Sequence, residues 1–562
     1  MNYELLYSEQ LEKALNGALT ITEISELIEK PSYVDQGDLA FPCFQLAKKL
    51  KKSPVMIANE LAPLIKGEVI EKVEANGPYV NCFLNKKVVS KQVIDIVLNQ
   101  GKEYGNKVLE NEKTIVIDCS SPNIAKPFSM GHIRSTMIGN SIGKIAEKNG
   151  YKAIKVNHLG DWGTQFGKLI VAYKLWGNEE SVKANPIKEL LKLYVKFHEE
   201  VKQLPNLEEE ARSWFKQLEE KNEEAIKIWQ WFREESLKEF MMVYDLLGVE
   251  FDSFNGEAFY NDKMDRIIKL LEEKELLVES EGADVVEMVE KDLPPCLIRK
   301  SDGATLYATR DLAAALYRKE TYDFDKAVYV VGGEQALHFN QVFTVLNKMG
   351  FTWSENMVHV PFGLILQDGK KMSTRKGKIV LLEKVIEEAI SLANKNIAEK
   401  NPSLNNKEEV AEMVGVGAII FQDLKNDRMN NFEFSLEKML KFEGETGPYV
   451  QYSFARTNSI LSKAENPDLS KQDGLDDTYS WEIIKLLLEF PNKVARSFDQ
   501  FEPSIIAKYT IDLAQAFNKY YGNTHILTND EQLESRLALV TTVSTILEEG
   551  LRLLGIRSPK EM

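Results

Sequence analysis

The stretch "SSPNIAKPFSMGHIRST", residues 120–136, lies where an apolar run hands over to a helical pattern. Ahead of it, "KTIVIDC" (113–119) holds Ile115, Val116 and Ile117, the continuous apolar run of a buried parallel strand. Behind it, Ile133, Met137, Ile142 and Ile145 recur at helical spacing and would share one face. Gly131 and His132 therefore fall at a helix start. Unpaired backbone N–H groups and the positive end of the dipole suit a phosphate there, and an imidazole can add a donor. A capped helix with an exposed histidine accounts for the same letters, so this stretch alone leaves both readings open.

Working outward, "YKAIKVNHLGDWG" (151–163) supplies a second strand, and strand, loop, helix, strand is the beginning of a parallel α/β sheet. Residues from about 170 to 300 read as long charged helices. In "EEEARSWFKQLEEKNEEAIKIWQWFREESLKEF", Trp214, Leu218, Ile226, Trp229, Phe232 and Phe240 form an apolar side that reads as core. Strand-like runs return in "AVYVV" (327–331) and "MVHVPFGLIL" (357–366). A sheet that pauses for helices and then resumes indicates one nucleotide-binding core with an insertion. Residues 1–112 mix helices with short strands such as "PYVNCFL" (78–84), and the chain beyond about 400 is helical in pattern. Near 50, Lys48, Lys49, Lys51 and Lys52 crowd one helix end, as a solvated face or a basic patch. The expected fold is multidomain α/β. It has a Rossmann-like parallel-sheet catalytic core over 113–400 with a helical insertion over about 170–300. An N-terminal α+β domain (1–112) precedes it and a C-terminal all-α helical bundle (401–562) follows.

The 562 residues are 44% apolar, ordinary for globular cores. Cysteines 43, 82, 119 and 296 form no CxxC pair and read as reduced, buried side chains. "MNYELLYSEQLEKAL" carries no secretory pattern and no run reaches 18 apolar residues, so a cytoplasmic protein without a membrane span is expected. A net charge of −16 argues against indiscriminate nucleic-acid binding, because phosphates are met by Lys and Arg.

Two further segments carry chemistry. "DGKKMSTRKGK" (368–378) gathers Lys370, Lys371, Arg375, Lys376 and Lys378 between or beside glycines. It reads as a cationic loop able to close on a triphosphate, or as an exposed basic hairpin. "TLYATRDLAAA" (305–315) places Tyr307 and Asp311 four apart, on one face of a helix. A carboxylate beside a phenol is a fit receptor for a guanidinium, though an ordinary surface Asp fits too. Neither GxxxxGK[ST] nor a GxGxxG after the first strand is present.

A Gly-His helix start followed by a distant "KMS" resembles the two signatures of class I aminoacyl-tRNA synthetases. "SSPNIAKPFSMGHIRST", "NHLGDWGTQFG", "LYATRDLAAA", "VVGGEQALHF" and "KKMSTRKG" together resemble arginyl-tRNA synthetases, in that family's order. "GDLAFPCFQLAKKL" (37–50) is similar to the family's N-terminal tRNA-contacting domain, and "EGETGPYVQYSFART" (443–457) to the entry of its anticodon-binding domain. The resemblance implies ligation of L-arginine to tRNA(Arg) through an arginyl-adenylate. ATP would bring its own Mg²⁺, with no dedicated structural metal, and the enzyme would be a monomer.

It also implies roles. Ser121, Asn123, His132, Tyr307, Asp311 and Gln335 would bind arginine, with Tyr307 and Asp311 on the guanidinium. Ser129, Gly131, His132, His338, Lys371, Met372 and Ser373 would line the ATP site. His132 and Lys371 would be catalytic. Two positions depart from the family pattern. Ser129 replaces the first signature's earlier histidine, and Thr374 replaces the second signature's later lysine. Lys126 would supply the missing charge, with Arg375 and Lys376 as competitors. Residues 401–562 carry 17 basic against 25 acidic side chains. Anticodon binding would therefore need a local strip and stacking, with Tyr449, Tyr452, Phe454 and Arg456 as candidates. The alternatives are a class I synthetase for another amino acid, a small-molecule nucleotidyltransferase, and a synthetase-like protein that only binds RNA.

Overall fold

The apolar run ahead of the Gly-His stretch is a central strand. In the computed structural model, which describes residues 3–300, 307–372, 374–375, 378–464 and 467–562, β1 (Lys113–Asp118) keeps Ile115, Val116 and Ile117 almost wholly buried. It pairs in parallel with β2 (Tyr151–Val156) on one side and with β3 (Lys326–Val330) on the other; β4 (Met357–Val360) extends the sheet beyond β3. The spatial order β4-β3-β1-β2 reverses direction between β1 and β3. At such a switch point the connections leave in opposite directions and open a crevice beyond the carboxyl ends of the strands.

The crossover from β1 to β2 is α1 (Met130–Lys148), buried along most of its length. Gly139 lets it lie directly on the sheet, since a Cβ there would run into Cys119. At its far end the Lys148 ammonium meets Glu549 at 2.9 Å, both fully buried. β3 is preceded by α2 (Tyr307–Tyr322) and followed by α3 (Ala336–Lys348).

The insertion is helical from Gln165 to Glu273, with Glu223–Leu247 the longest helix. Leu218, Phe232 and Phe240 are core as expected, whereas Trp214, Ile226 and Trp229 are only partly covered. Its last part is a three-stranded antiparallel sheet, Val278–Ser280, Ala283–Val286 and Cys296–Arg299, which the sequence did not signal. These strands are too short, and the first too exposed, to show an alternating pattern.

"MVHVPFGLIL" is not one strand. It breaks at Pro361, which has no N–H to continue the ladder, and resumes in another sheet as β5 (Ile365–Gln367). There β5 pairs antiparallel with β6 (Lys370–Lys371) across Asp368 and Gly369, both at positive φ, the two-residue turn that fits hairpin twist. After α4 (Lys407–Leu424), β7 (Phe432–Glu433) joins the other side of β5 in parallel. The basic segment therefore starts as a hairpin, and Thr374–Arg375 pairs with Lys378–Ile379 beyond it.

Gly105–Ala455, Asn492–Ile511 and Glu548–Met562 make up this larger compact unit. The smaller unit is Met1–Tyr104 with Arg456–Pro491 and Asp512–Leu547. Its antiparallel sheet has Tyr79–Leu84 between Leu39–Pro42 and Ile70–Asn76. Trp481 Nε1 donates to Asp38 Oδ1 at 2.9 Å, and Ser90 Oγ donates to the Leu475 carbonyl at 2.7 Å, so N-terminal and late helical segments share one body. All four cysteines are buried and free. Among the described residues no helix is long and apolar enough to cross a membrane.

Candidate active site

The helix start is capped by the residue that makes it chemically interesting. The Ser129 N–H donates to His132 Nδ1 at 3.1 Å, and the Ser129 hydroxyl lies 3.2 Å from the same nitrogen. This is a capping box in which imidazole takes the place of the usual Glu or Gln. Because Nδ1 accepts, the neutral ring carries its proton on Nε2. Burial holds the His132 pKa below its ordinary value, the Ser129 bond opposes that shift, and the Lys126 charge adds to it. His132 packs its ring 5.1 Å from Phe128, so it is a neutral N–H donor at a helix N-terminus and not an exposed histidine.

The loop between β1 and α1 is strained. Ser120, Ser121 and Ala125 have φ of 80°, 50° and 60°, a region non-glycine residues rarely occupy and one that recurs at binding sites. It is held by bonds from the Ser120 N–H to Ser135 Oγ at 2.9 Å and between Ser120 Oγ and the Tyr244 hydroxyl at 2.7 Å. Gly160 passes so close to Asn123 that any side chain there would strike its Oδ1.

Beyond the switch point lies a cavity of about 380 Å³. Six residues picked out from the sequence line it: Ser121, Asn123, Tyr307, Asp311, Gln335 and His338. They come from the β1 loop, from α2, from the turn before α3 and, for His338, from the first turn of α3. Asp311 accepts from His338 Nε2 at 2.5 Å. Burial pushes its carboxyl up, but the His338 bond, with Arg318 and the neighbouring imidazoles, prevails and holds it below the usual range. His338, expected at the nucleotide, thus stands on the carboxylate expected to read the guanidinium.

Further residues that the sequence reading did not single out shape the cavity. Asp118, at the end of β1, pairs with the buried Arg318 at 2.7 Å. Arg318 also lies 5.5 Å from the Tyr329 ring and 3.3 Å from His158 Nδ1. Burial lowers the His158 pKa, leaving it neutral beside that guanidinium. Glu257 lines the cavity with Arg310. Burial pushes its pKa up to about 7, Arg310 pulls it down, and Asp161 and Asp311 push it further up. Its segment is pinned by Asp161, which accepts from the Ala258 N–H at 2.9 Å and from Arg233 Nε at 2.9 Å.

A second, smaller cavity of about 110 Å³ brings the two signatures together, with Gly131 and Arg134 of α1 facing Lys371 and Met372. Ser129 and Leu381 form a bridge, and the Met130 N–H donates to the Val380 carbonyl at 3.3 Å, so the chain after the basic segment returns to the helix start. Ser373 lies outside the described residues. Lys126 is exposed, and its ammonium has no ion pair among the described residues. A groove of about 870 Å³ adjoins the larger cavity through Tyr307 and Arg310, which line both. Its walls include Trp162, Phe215, Trp229 and Phe259, with Lys221, Lys263 and Lys300.

Of the residues considered for stacking, Phe454 is buried and serves packing, Tyr449 is half-buried, and Tyr452 is 36% exposed. Arg456, in the smaller unit, bonds to Asn518 and lies 4.9 Å over the Tyr521 ring.

Comparison with known proteins agrees along the whole length. Residues 92–436 match the model of the class I (R) tRNA synthetase catalytic domain. Residues 450–562 match the DALR anticodon binding domain, and residues 6–84 the arginyl tRNA synthetase N-terminal domain. The chain is 63% identical over 562 residues to an arginine--tRNA ligase of an Exiguobacterium strain, and 60% identical over 563 residues to that of Enterococcus faecalis, covering all of both proteins in each case. Among solved structures, the arginyl-tRNA synthetase of Thermus thermophilus aligns with a TM-score of 0.79 at 25% identity, covering 99% of each chain. That of Plasmodium falciparum shares the fold with a TM-score of 0.81 at 24% identity, over 100% of this chain and 98% of the other. With its strand order, its paired signatures and its cavity at the switch point, the chain belongs to the arginyl-tRNA synthetase family of class I.

Proposed function

We infer that the chain joins L-arginine to its cognate tRNA in two steps at the switch-point crevice. The observation that carries this reading is the pairing of cavities. One ends in Asp311, Glu257 and Tyr307, and the other brings Gly131 opposite Lys371. In the first step the arginine carboxylate attacks the α-phosphorus of ATP. The new O–P bond forms as the bond to pyrophosphate breaks, giving arginyl-adenylate. In the second, the terminal ribose hydroxyl of tRNA attacks the activated carbonyl, loses its proton and displaces AMP.

The protein positions and stabilises charge; it forms no covalent bond with substrate. Ser121, Asn123 and Gln335 hold the amino-acid end, and the acidic group reads the guanidinium. His132 Nε2–H donates to the phosphate, while Lys371 and Lys126 offset charge on the departing pyrophosphate, with Mg²⁺ arriving on ATP. The aromatic and cationic groove reached past Tyr307 would take the unpaired 3′ end of tRNA, because exposed bases stack on such walls. In this reading the enzyme is a cytoplasmic monomer.

The direct test is amino-acid-dependent exchange of pyrophosphate into ATP, with and without tRNA. Exchange with arginine alone supports the reading, and exchange with no amino acid sinks it. Two narrower results are expected in the same assay. Lys126→Ala and Lys371→Ala should each lower kcat by about 10- to 100-fold with little change in KM for arginine. Near-normal kcat in Lys126→Ala would hand its role to Arg375 or Lys376.

The second concerns pH. A cationic guanidinium needs Glu257 ionised, and in the free enzyme its pKa is about 7. Below that value the carboxyl must lose a proton for arginine to bind. Accordingly kcat/KM for arginine should fall about tenfold per pH unit as pH drops below 7. Glu257→Gln should flatten this limb and lower kcat/KM at high pH.

A further inference from the structure

Arg134 lies two residues after His132 on α1, yet its side chain is only 1% exposed. Its Nε donates to Asp423 Oδ1 of α4 at 2.8 Å, and Nη1 donates to the Asn430 carbonyl at 3.0 Å. The guanidinium stands 5.3 Å from the Phe432 ring and 5.7 Å from that of Phe362. Phe432 belongs to β7, which lies beside β5 at Ile365; β5 in turn pairs with β6, placing Leu366 opposite Lys371. An unbroken path of contacts thus runs from the first signature through one guanidinium to the second. Arg134 also lines the small cavity in which Gly131 and Lys371 meet.

We propose that Arg134 is a positioning residue for adenylate formation: its bonds to Asp423 and Asn430 and its seat between Phe362 and Phe432 hold the β5–β6 hairpin, and with it Lys371, at a fixed distance from the start of α1. The inference rests on the functional reading above. Stability alone does not explain the pair. Asp423 is 2% exposed, and Arg134 Nη2 and Asp423 Oδ2 have no hydrogen-bond partner among the described residues. Burial raises the Asp423 pKa despite the opposing charge and hydrogen bond of Arg134. Apolar side chains of similar size are commonly as stable as such a buried pair, or more so. What they lack is direction: a planar fork bonded on two edges and packed on two faces has one orientation, whereas an alkyl chain has several.

The test is the double substitution Arg134→Met with Asp423→Leu, which removes both charges together and leaves neither unpaired. We expect it to melt no lower than wild type and to keep its KM for arginine, whose cavity Arg134 does not line. Its kcat for arginine-dependent pyrophosphate exchange should fall about 100-fold, the cost of a catalytic group displaced by about an ångström. A stable double variant with wild-type kcat overturns the proposal, and so does a defect confined to KM for arginine. Should the double variant fail to fold, Arg134→Lys decides. A folded protein with lowered kcat and unchanged arginine KM supports positioning; unchanged kcat overturns it. The wild-type control separates the two levels: without arginine-dependent exchange there, the functional reading itself falls, whereas failure of this inference alone leaves that exchange intact.

Discussion

Replacing Asp311 by alanine should lower kcat/KM for arginine by about 10³-fold, or about 4 kcal/mol of transition-state binding. The carboxylate stands one turn into α2, where Tyr307 shares its face, and unlike Glu257 it is held below the usual carboxylate range. Without it the guanidinium would be desolvated with only Tyr307 and a partly protonated Glu257 to meet it. An unpaired charge is the costly outcome. Asp311→Asn keeps the shape and one acceptor, so its loss should be smaller, near 10²-fold.

The same geometry bears on lysine. A point ammonium cannot satisfy acceptors set for a planar fork, so unpaired Asp311 or Glu257 oxygens would oppose it. His338 adds a condition. It takes one lone pair of Asp311 Oδ2 at 2.5 Å, so a guanidinium has the other oxygen and the remaining lone pair of Oδ2 to meet. Kinetics at saturating ATP with arginine varied, for Asp311→Ala, Asp311→Asn and wild type, measure the effect. Equal kcat/KM in all three would remove Asp311 from recognition.

Much of this site could be read from the chain because its parts are local. β1 announces itself by its continuous apolar run and α1 by its periodicity, and the short motifs around Ser121, His132, Asp311 and Gln335 each lie within one turn or loop. What escaped the sequence is held together across long separations. Asp118 meets Arg318 only because β1 and β3 are neighbours and α2 packs behind them. Glu257 is one acid among many in a charged insertion. Its pKa is raised by burial and by the charges of Asp161 and Asp311 against the pull of Arg310, and its segment is anchored by Asp161, nearly a hundred residues earlier. The Arg134–Asp423 pair spans 289 residues. Pro361 had a local signal that the apolar run around it concealed, and the Asp368–Gly369 hairpin was masked by the lysines that follow.

In the proposed function His132 has two jobs, capping α1 and donating to phosphate, that one substitution confuses and two substitutions separate. His132→Ala should lower kcat for adenylate formation by about 10²-fold, the usual loss of one donor aimed at developing charge. It should also cost about 1 kcal/mol of stability, because the capping box at Ser129 goes with it. In His132→Gln the amide oxygen can take the Ser129 N–H as glutamine does at this position of other helices. Stability should return, while the flexible amide NH2 does not reproduce the fixed Nε2–H of the ring, so the rate should stay below wild type. The pH dependence adds a sign. The folded His132 pKa lies below the ordinary 6.5. As pH falls through that value, the unfolded chain binds a proton the folded chain still refuses, and wild type loses stability relative to His132→Gln. Above it both forms are neutral and the difference vanishes. Denaturant midpoints at several pH values, set beside kcat, would show stability and rate moving independently; a rate that recovers with the cap would mean His132 acts only through the helix start.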